Sequence, residues 1–293
     1  VKLRPSISFM SSASFILIWS TGWIMAKFAA QDSPPLTFLL MRYLGAALGL
    51  VVLALISKSH WPNTWQKWAH AGITGILLHA AYLGTVWYAI SKGVPASISA
   101  LLSALQPILT VTIAPLLLNE NVTRRQWIGV SCASVGLITV LYPRLSHIDI
   151  NDLITSIVPL IINIIGMISL TAGTLYQKSI RYDADLRTIA ALQYIAAFII
   201  TLPFALSLET MDVHWTLSSI LTLAWSVFGL SIGAILLFLY LLRRNEAVRA
   251  TQLFFLVPPT SAIQAYLFFG ETFTLPQLTG MVMTIAGVAL SNS

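Results

Sequence analysis

A chain of 293 residues, 57% of them hydrophobic and 9% charged, with a mean hydropathy of +0.83, is too apolar for a soluble domain, where charged residues make up roughly a quarter. Its net charge of +6 gathers in no basic domain, which argues against a nucleic-acid partner, and the single Cys132 cannot form an internal disulfide. The composition is that of an all-α integral membrane protein.

Ten apolar runs follow one another, over about 7 to 29, 34 to 57, 67 to 90, 95 to 118, 124 to 142, 154 to 178, 186 to 207, 216 to 241, 247 to 269 and 275 to 292. Each approaches or exceeds the roughly 20 residues that a helix needs to cross a bilayer, and no connection is long enough to be a domain. The first run follows Lys2 and Arg4 as a signal peptide would, but it is too long and has no convincing small-residue cleavage site. It carries Trp19 and Trp23, four apart on one face. The second opens after Asp32-Ser33-Pro34-Pro35, where proline starts a helix, and holds Arg42 about two turns in.

In the third run, GILLHAAYLG at 75 to 84 places His79 near mid-span, three residues before Tyr82. A titratable group at that depth is costly unless it faces protein or water. Two readings stay open, a functional site and a plain hydrogen bond to a neighbouring helix. The fourth run has Gln106 before Pro107, and the ninth has Gln252, Phe254 and Phe255 before Pro258. Paired helix breaks at matching places in two halves point to a transporter site. Asn163 and Thr171 in the sixth run and Ser231 in the eighth add polar groups at mid-span. The expected cavity is therefore enclosed by helices 1, 3, 4, 6, 8 and 9, with helices 5 and 10 outside it. Trp61, Trp65, Trp68, Trp127 and Trp215 fall near span ends and are read as interfacial anchors.

Lysine and arginine accumulate on the cytoplasmic side of a membrane. With the N-terminus inside, twelve of the sixteen fall on inner loops and three at outer ends, with Arg42 left in a span. Both termini are thus expected to be cytoplasmic. Residues 119 to 136, NENVTRRQWIGVSCASVG, repeat without a gap as 270 to 287, GETFTLPQLTGMVMTIAG. Glu120 matches Glu271, Thr123 matches Thr274, Gln126 matches Gln277, Gly129 matches Gly280 and Gly136 matches Gly287, each 151 residues apart, and Pro107 falls on Pro258. Two halves follow, 1 to 143 and 152 to 293. With five helices each, the second enters the membrane upside down, as in secondary transporters that hold substrate at mid-membrane between inverted halves.

The opening Trp19-Ser20-Thr21-Gly22-Trp23, the stretch Pro35-Leu36-Thr37-Phe38-Leu39-Leu40-Met41-Arg42-Tyr43, and the motif around Glu120 with its echo around Glu271 resemble the EamA domains of the drug/metabolite transporter superfamily. The resemblance covers the whole chain, and the stretch with His79 and Tyr82 is most similar to the aromatic amino acid exporters within it. It implies a multi-pass protein of the bacterial inner membrane, without a cofactor or metal, exporting amino acids by alternating access. The rival substrate is another small metabolite or drug.

Candidate substrate contacts are His79, Tyr82, Trp19, Trp23, Gln106, Asn163, Gln252 and Phe255. Arg42, Glu120, Glu271, Pro107 and Pro258 are expected to be structural, the two glutamates settling helix ends. All ten acidic residues fall in loops or at span ends, so export of lipophilic cations, which calls for a buried counter-charge, is disfavoured. A zwitterion with an apolar side chain fits best, its ammonium against aromatic faces. An enzyme is not expected, because His79 has no second ligand at helical spacing, as in H-E-x-x-H. Beyond lipid and substrate the expected state is a monomer or weak homodimer.

Overall fold

The computed structural model describes residues 5–94, 99, 102, 106–118, 122–145, 150–243, 253–269 and 273–292, and no strand occurs among them. In chain order the helices are α1 (Pro5–Asp32), α2 (Pro35–Ile56), α3 (Trp65–Gly75, continuing through Ile76–Ala81 to Tyr82–Ser91), α4 (Gln106–Leu118) and α5 (Arg124–Leu145). Then come α6 (Ile150–Ser179), α7 (Leu186–Leu208), α8 (Leu217–Trp225, continuing through Ser226–Ala234 to Ile235–Arg243), α9 (Val257–Phe269) and α10 (Leu275–Asn292). A tighter 3-10 turn, Leu253–Leu256, leads into α9.

Among the described residues six helices are long and apolar enough to cross a membrane, and they lie in α1, α2, α3, α6, α7 and α8. Their polarity is turned inside out. On α2, Leu44, Leu48, Val52 and Leu55 form an exposed stripe at spacings of four, four and three, while Leu39, Tyr43, Ala46 and Leu50 are buried on the other face. In water that outer stripe would be polar; here both faces are apolar, which suits hydrocarbon.

The repeated polar residues turn out to cap helices. The Thr123 backbone N–H donates to Gln126 Oε1 at 2.8 Å, and the Thr274 backbone N–H donates to Gln277 Oε1 at the same distance. Gln126 N–H returns a bond to Thr123 Oγ1 at 3.2 Å, completing a reciprocal box that satisfies donors left over at the start of α5. At α2 the cap comes from far along the chain. Glu209 accepts from the backbone of Leu36 (2.8 Å) and Thr37 (2.7 Å) and from the Thr37 hydroxyl (2.8 Å), tying the end of α7 to the start of α2.

The repeated glycines let α5 and α10 touch backbone to backbone. A Cβ on Gly136 would lie 2.6 Å from the Gly280 carbonyl oxygen, and one on Gly287 would lie 2.6 Å from that of Gly129. Because 136 faces 280 while 129 faces 287, the two helices run antiparallel. Cys132 Sγ donates to the Met283 carbonyl at 3.7 Å, so a residue meets its own counterpart 151 positions on. The same happens between α2 and α7, where the rings of Tyr43 and Tyr194 lie 5.9 Å apart. The rest of the packing follows the same register: α1 lies on α8 and α9, and α6 lies on α3 and α4.

Both α3 and α8 widen into a π-helical turn at mid-length, Ile76–Ala81 and Ser226–Ala234. Shifted by the register of the repeat, the first falls on 227–232, inside the second. π turns are rare and are frequent at functional sites.

Candidate functional site

His79 belongs to the π turn of α3 and is 1% exposed. Its carbonyl accepts the Tyr43 hydroxyl at 2.9 Å, which anchors the widened turn to α2. Its imidazole lies flat on the Tyr194 ring, centroids 4.2 Å apart and planes 15° from parallel. Gln193 faces the imidazole, and Ser231 and Arg42 face the Tyr194 hydroxyl. On the other side of α3, Gly75 lets the chain run against α7, since a Cβ there would lie 2.2 Å from the Gln193 carbonyl oxygen.

Beside His79 lies a cavity of about 40 Å³, room for a few waters at roughly 10–15 Å³ each. Trp19, Gly22 and Trp23 of α1 line it, with Arg42 of α2, His79, Tyr82 and Trp87 of α3, and Leu230 and Ile235 of α8. Trp19 is held by Phe15 and Phe238, centroids 5.2 and 6.1 Å away. Arg42 is 5% exposed, and its Nε donates to the Ser231 hydroxyl in the π turn of α8 at 2.7 Å.

The cavity thus brings together four of the expected contacts, His79, Tyr82, Trp19 and Trp23, on α1 and α3. Gln106 and Asn163 are fully buried elsewhere, on a polar seam between α4 and α6: Gln106 Nε2 donates to Thr174 Oγ1 at 3.0 Å, and the Asn163 amide donates to Ser99. Gln252, Glu120 and Glu271 lie outside the described residues, as do the side chains of Phe255, Pro107 and Pro258. The expected ring of helices needs correction. Among the described residues α1, α3 and α8 supply lining groups, α4, α6 and α9 supply none, and α2, left out of the expectation, supplies Arg42. The reason is the central crossing of α2 and α7 at Tyr43 and Tyr194, which carries α2 inward.

Tyr43, Tyr194 and Gln193 were missed. Extending the register would have found them, since Arg42-Tyr43 becomes Gln193-Tyr194 after 151 residues. Trp65, Trp127 and Trp215 are exposed, whereas Trp61 is half-buried and stacks on Trp68 with centroids 5.6 Å apart.

A family model described as the EamA-like transporter family matches residues 6–142 and again 157–293. The chain belongs to that family. Among its relatives, an uncharacterized transporter of Bacillus subtilis, YvbV, is 26% identical over 96% of this chain and 90% of its own length. A protein of Salmonella typhimurium named a probable amino-acid metabolite efflux pump is 24% identical over 94% of this chain and 91% of its own. An Escherichia coli protein named an uncharacterized inner membrane transporter, YedA, is 24% identical over 94% and 87%. A solved crystal structure superposes with a TM-score of 0.79 over 96% of both chains at 15% identity, a likeness of fold alone. The chain is a membrane transporter of the EamA type, with apolar spanning helices to match.

Proposed function

We propose that this transporter exports amino acids, aromatic or otherwise apolar, across the bacterial inner membrane with both termini cytoplasmic. Two inverted halves of five helices, 1 to 143 and 152 to 293, rock to expose one site alternately to each side. The observation that carries the reading is the cavity itself, in which tryptophans, a histidine and an arginine converge halfway along membrane-spanning helices. The antiparallel crossing of α5 and α10 within one register supports the inversion, and the name of the Salmonella relative supports the substrate class.

His79 and Tyr82 supply the polar contacts and Trp19 and Trp23 the apolar walls. Gln106 and Asn163 border the path on the seam between α4 and α6, and Gln252 and the Phe255 side chain, outside the described residues, remain proposed contacts. A room of about 40 Å³ is far below the roughly 300 Å³ and more of small-molecule pockets, so loading needs the halves to part. The matched π turns of α3 and α8 are where that opening is easiest, because their backbone ladders are already widened.

No nucleotide-binding loop is present in the sequence, so movement follows a gradient, and facilitated diffusion is the expected mode. The test is movement of L-tryptophan through purified protein in liposomes, with and without an imposed pH gradient. Protein-dependent flux down the tryptophan gradient, unaltered by the pH gradient, is expected. Uphill accumulation driven by protons and lost in His79→Ala would overturn the facilitated mode, and absence of protein-dependent flux for any amino acid would overturn the substrate assignment.

A further inference from the structure

We infer that Arg42 is the anion anchor of this cavity, and that the charge it selects is the substrate's carboxylate, leaving the ammonium of an amino acid dispensable. The inference rests on the transport reading above and deepens it. Arg42 lines the cavity from within the membrane-spanning part of α2. A guanidinium carries five N–H donors in a planar fork. Its Nε donates to the neutral hydroxyl of Ser231, and its guanidinium also reaches the neutral hydroxyl of Tyr194, so among the described residues these partners carry no charge to offset its own. The ion pairs of the described residues join Lys67 to Asp183 and Arg187 to Asp185, and none of the ten acidic residues of the chain falls at mid-span.

A cation held in that place without an anion is costly, and a carboxylate matches a guanidinium fork two oxygens to two nitrogens, better than neutral hydroxyls do. The ammonium has no matching anion. Trp19, Trp23, Tyr82 and Trp87 offer it aromatic faces, which an uncharged apolar group fills as well.

A purely structural arginine would be needed wherever the fold repeats. It is not. The register position in the second half is Gln193, whose amide donates to Gln177 at 2.8 Å, and the counterpart of Ser231 is Ala80. The helix crossing is therefore built once with a guanidinium and once without, and the guanidinium stands on the side that lines the cavity.

The experiment is calorimetric titration of the purified full chain in detergent with three indole probes: L-tryptophan, indolepropionate, which lacks the ammonium, and tryptamine, which lacks the carboxylate. Tryptophan and indolepropionate are expected to bind with similar affinity. Tryptamine should bind about tenfold more weakly or worse, as the loss of a charge-assisted bidentate contact requires. This comparison needs no variant and so survives any folding defect. Arg42→Gln should erase the preference for the two acids while leaving tryptamine unchanged, and Arg42→Lys should restore part of it. Ser231→Ala, which removes the Nε bond and leaves the charge in place, should keep the order of the three probes.

Tryptamine binding as tightly as the acids would overturn the inference, and so would a folded, monodisperse Arg42→Gln protein that keeps its preference for them. Binding of tryptophan with failure of indolepropionate would show the ammonium to be required and would overturn it as well, leaving the transport reading intact. If none of the three probes binds, the aromatic amino acid reading falls and takes the assignment of Arg42 with it.

Discussion

The crossing of α5 and α10 and the neighbourhood of α2, α3, α7 and α8 are built on the same 151-residue register, and they use it in opposite ways. In the outer pair both copies keep the same residues: Thr123 and Thr274, Gln126 and Gln277, Gly129 and Gly280, Gly136 and Gly287. Those residues cap helix ends and let backbones touch. In the inner group the copies part company, Arg42 against Gln193 and His79 against Leu230, and it is these positions that border the cavity and its aromatic partners. Sameness marks the scaffold, and difference marks the lining of the cavity.

The largest effect should come from breaking the symmetric side of that comparison. Gly136→Val or Gly280→Val drives side-chain carbon into a facing carbonyl, with first contacts at 2.6 and 2.4 Å. Since the obstacle is backbone, relief by rotamer change is closed off, and destabilisation should reach or exceed the about 1–3 kcal/mol of ordinary overpacking. The measurement is the yield of monodisperse protein by size-exclusion chromatography, where recovery equal to wild type would refute the contact.

On the asymmetric side, His79→Ala and Tyr82→Ala should leave inserted, folded protein. Flux in liposomes should fall about tenfold or more, the equivalent of losing roughly 1.4 kcal/mol of buried polar contact. Trp61→Ala, at the span end, should leave substrate affinity within about twofold, since it removes an interfacial anchor. Full transport by both site variants would remove His79 and Tyr82 from the site.

Thr123→Ala and Thr274→Ala sharpen the comparison further. Thr123→Ala removes the hydroxyl that accepts the Gln126 N–H, a cap expected to contribute about 0.5–2 kcal/mol, whereas the Thr274 hydroxyl donates to Gln277 Oε1 at 3.1 Å, so Thr274→Ala should lower the thermal midpoint less. Equal falls would mean that the two hydroxyls do the same work despite their different bonds.

The smallest effect belongs to the Lys67–Asp183 pair, 2.5 Å apart at the head of α3. Hydrogen bonding and attraction from Lys67 hold the Asp183 carboxyl below its ordinary pKa. A lowered folded pKa contributes stability that is present above the unfolded value and lost as pH falls through the folded one. The wild-type thermal midpoint should therefore slightly exceed that of Asp183→Asn at neutral pH, and the two should converge once pH drops below the ordinary carboxylate range. The carboxylate is exposed, so about 1 M salt should also erase the difference. A gap that persists in acid would exclude the ion pair as its cause.

Most of the fold was legible because a membrane imposes one pattern at a time. Runs of apolar residues bounded by Pro34-Pro35 or Asp185 gave helix limits within a few residues of those of α2 and α7. The polar repeat was legible as a repeat, yet its Thr-x-x-Gln spacing was not read as a cap, although that signature is local and sufficient. The π turns left no mark in composition, because one extra residue per turn leaves an all-apolar pattern unchanged. His79 announced itself by being titratable in an apolar run. Tyr43 and Tyr194 did not, since an aromatic in a spanning helix is ordinarily packing, and the 151-residue register alone marks them as counterparts. Arg42 was assigned to structure by its motif, and nothing local to α2 could show that its Nε would find a serine on α8.

The contact between Tyr43 and Tyr194 sets a counterpart pair ring against tilted ring, with Arg42 and Gln193 as their immediate chain neighbours. Had the protein been assembled from two separate copies of its first half, every residue there would appear twice, and two guanidinium groups would flank the same buried centre with nothing but each other for company. Two copies of the second half would bring no cation at all. A single positive charge beside a near-twofold axis is open only to a chain whose halves are covalently joined and free to drift apart in sequence. Joining the halves therefore does more than fix their number. It lets a nearly symmetric fold carry a charge that only one of its halves supplies.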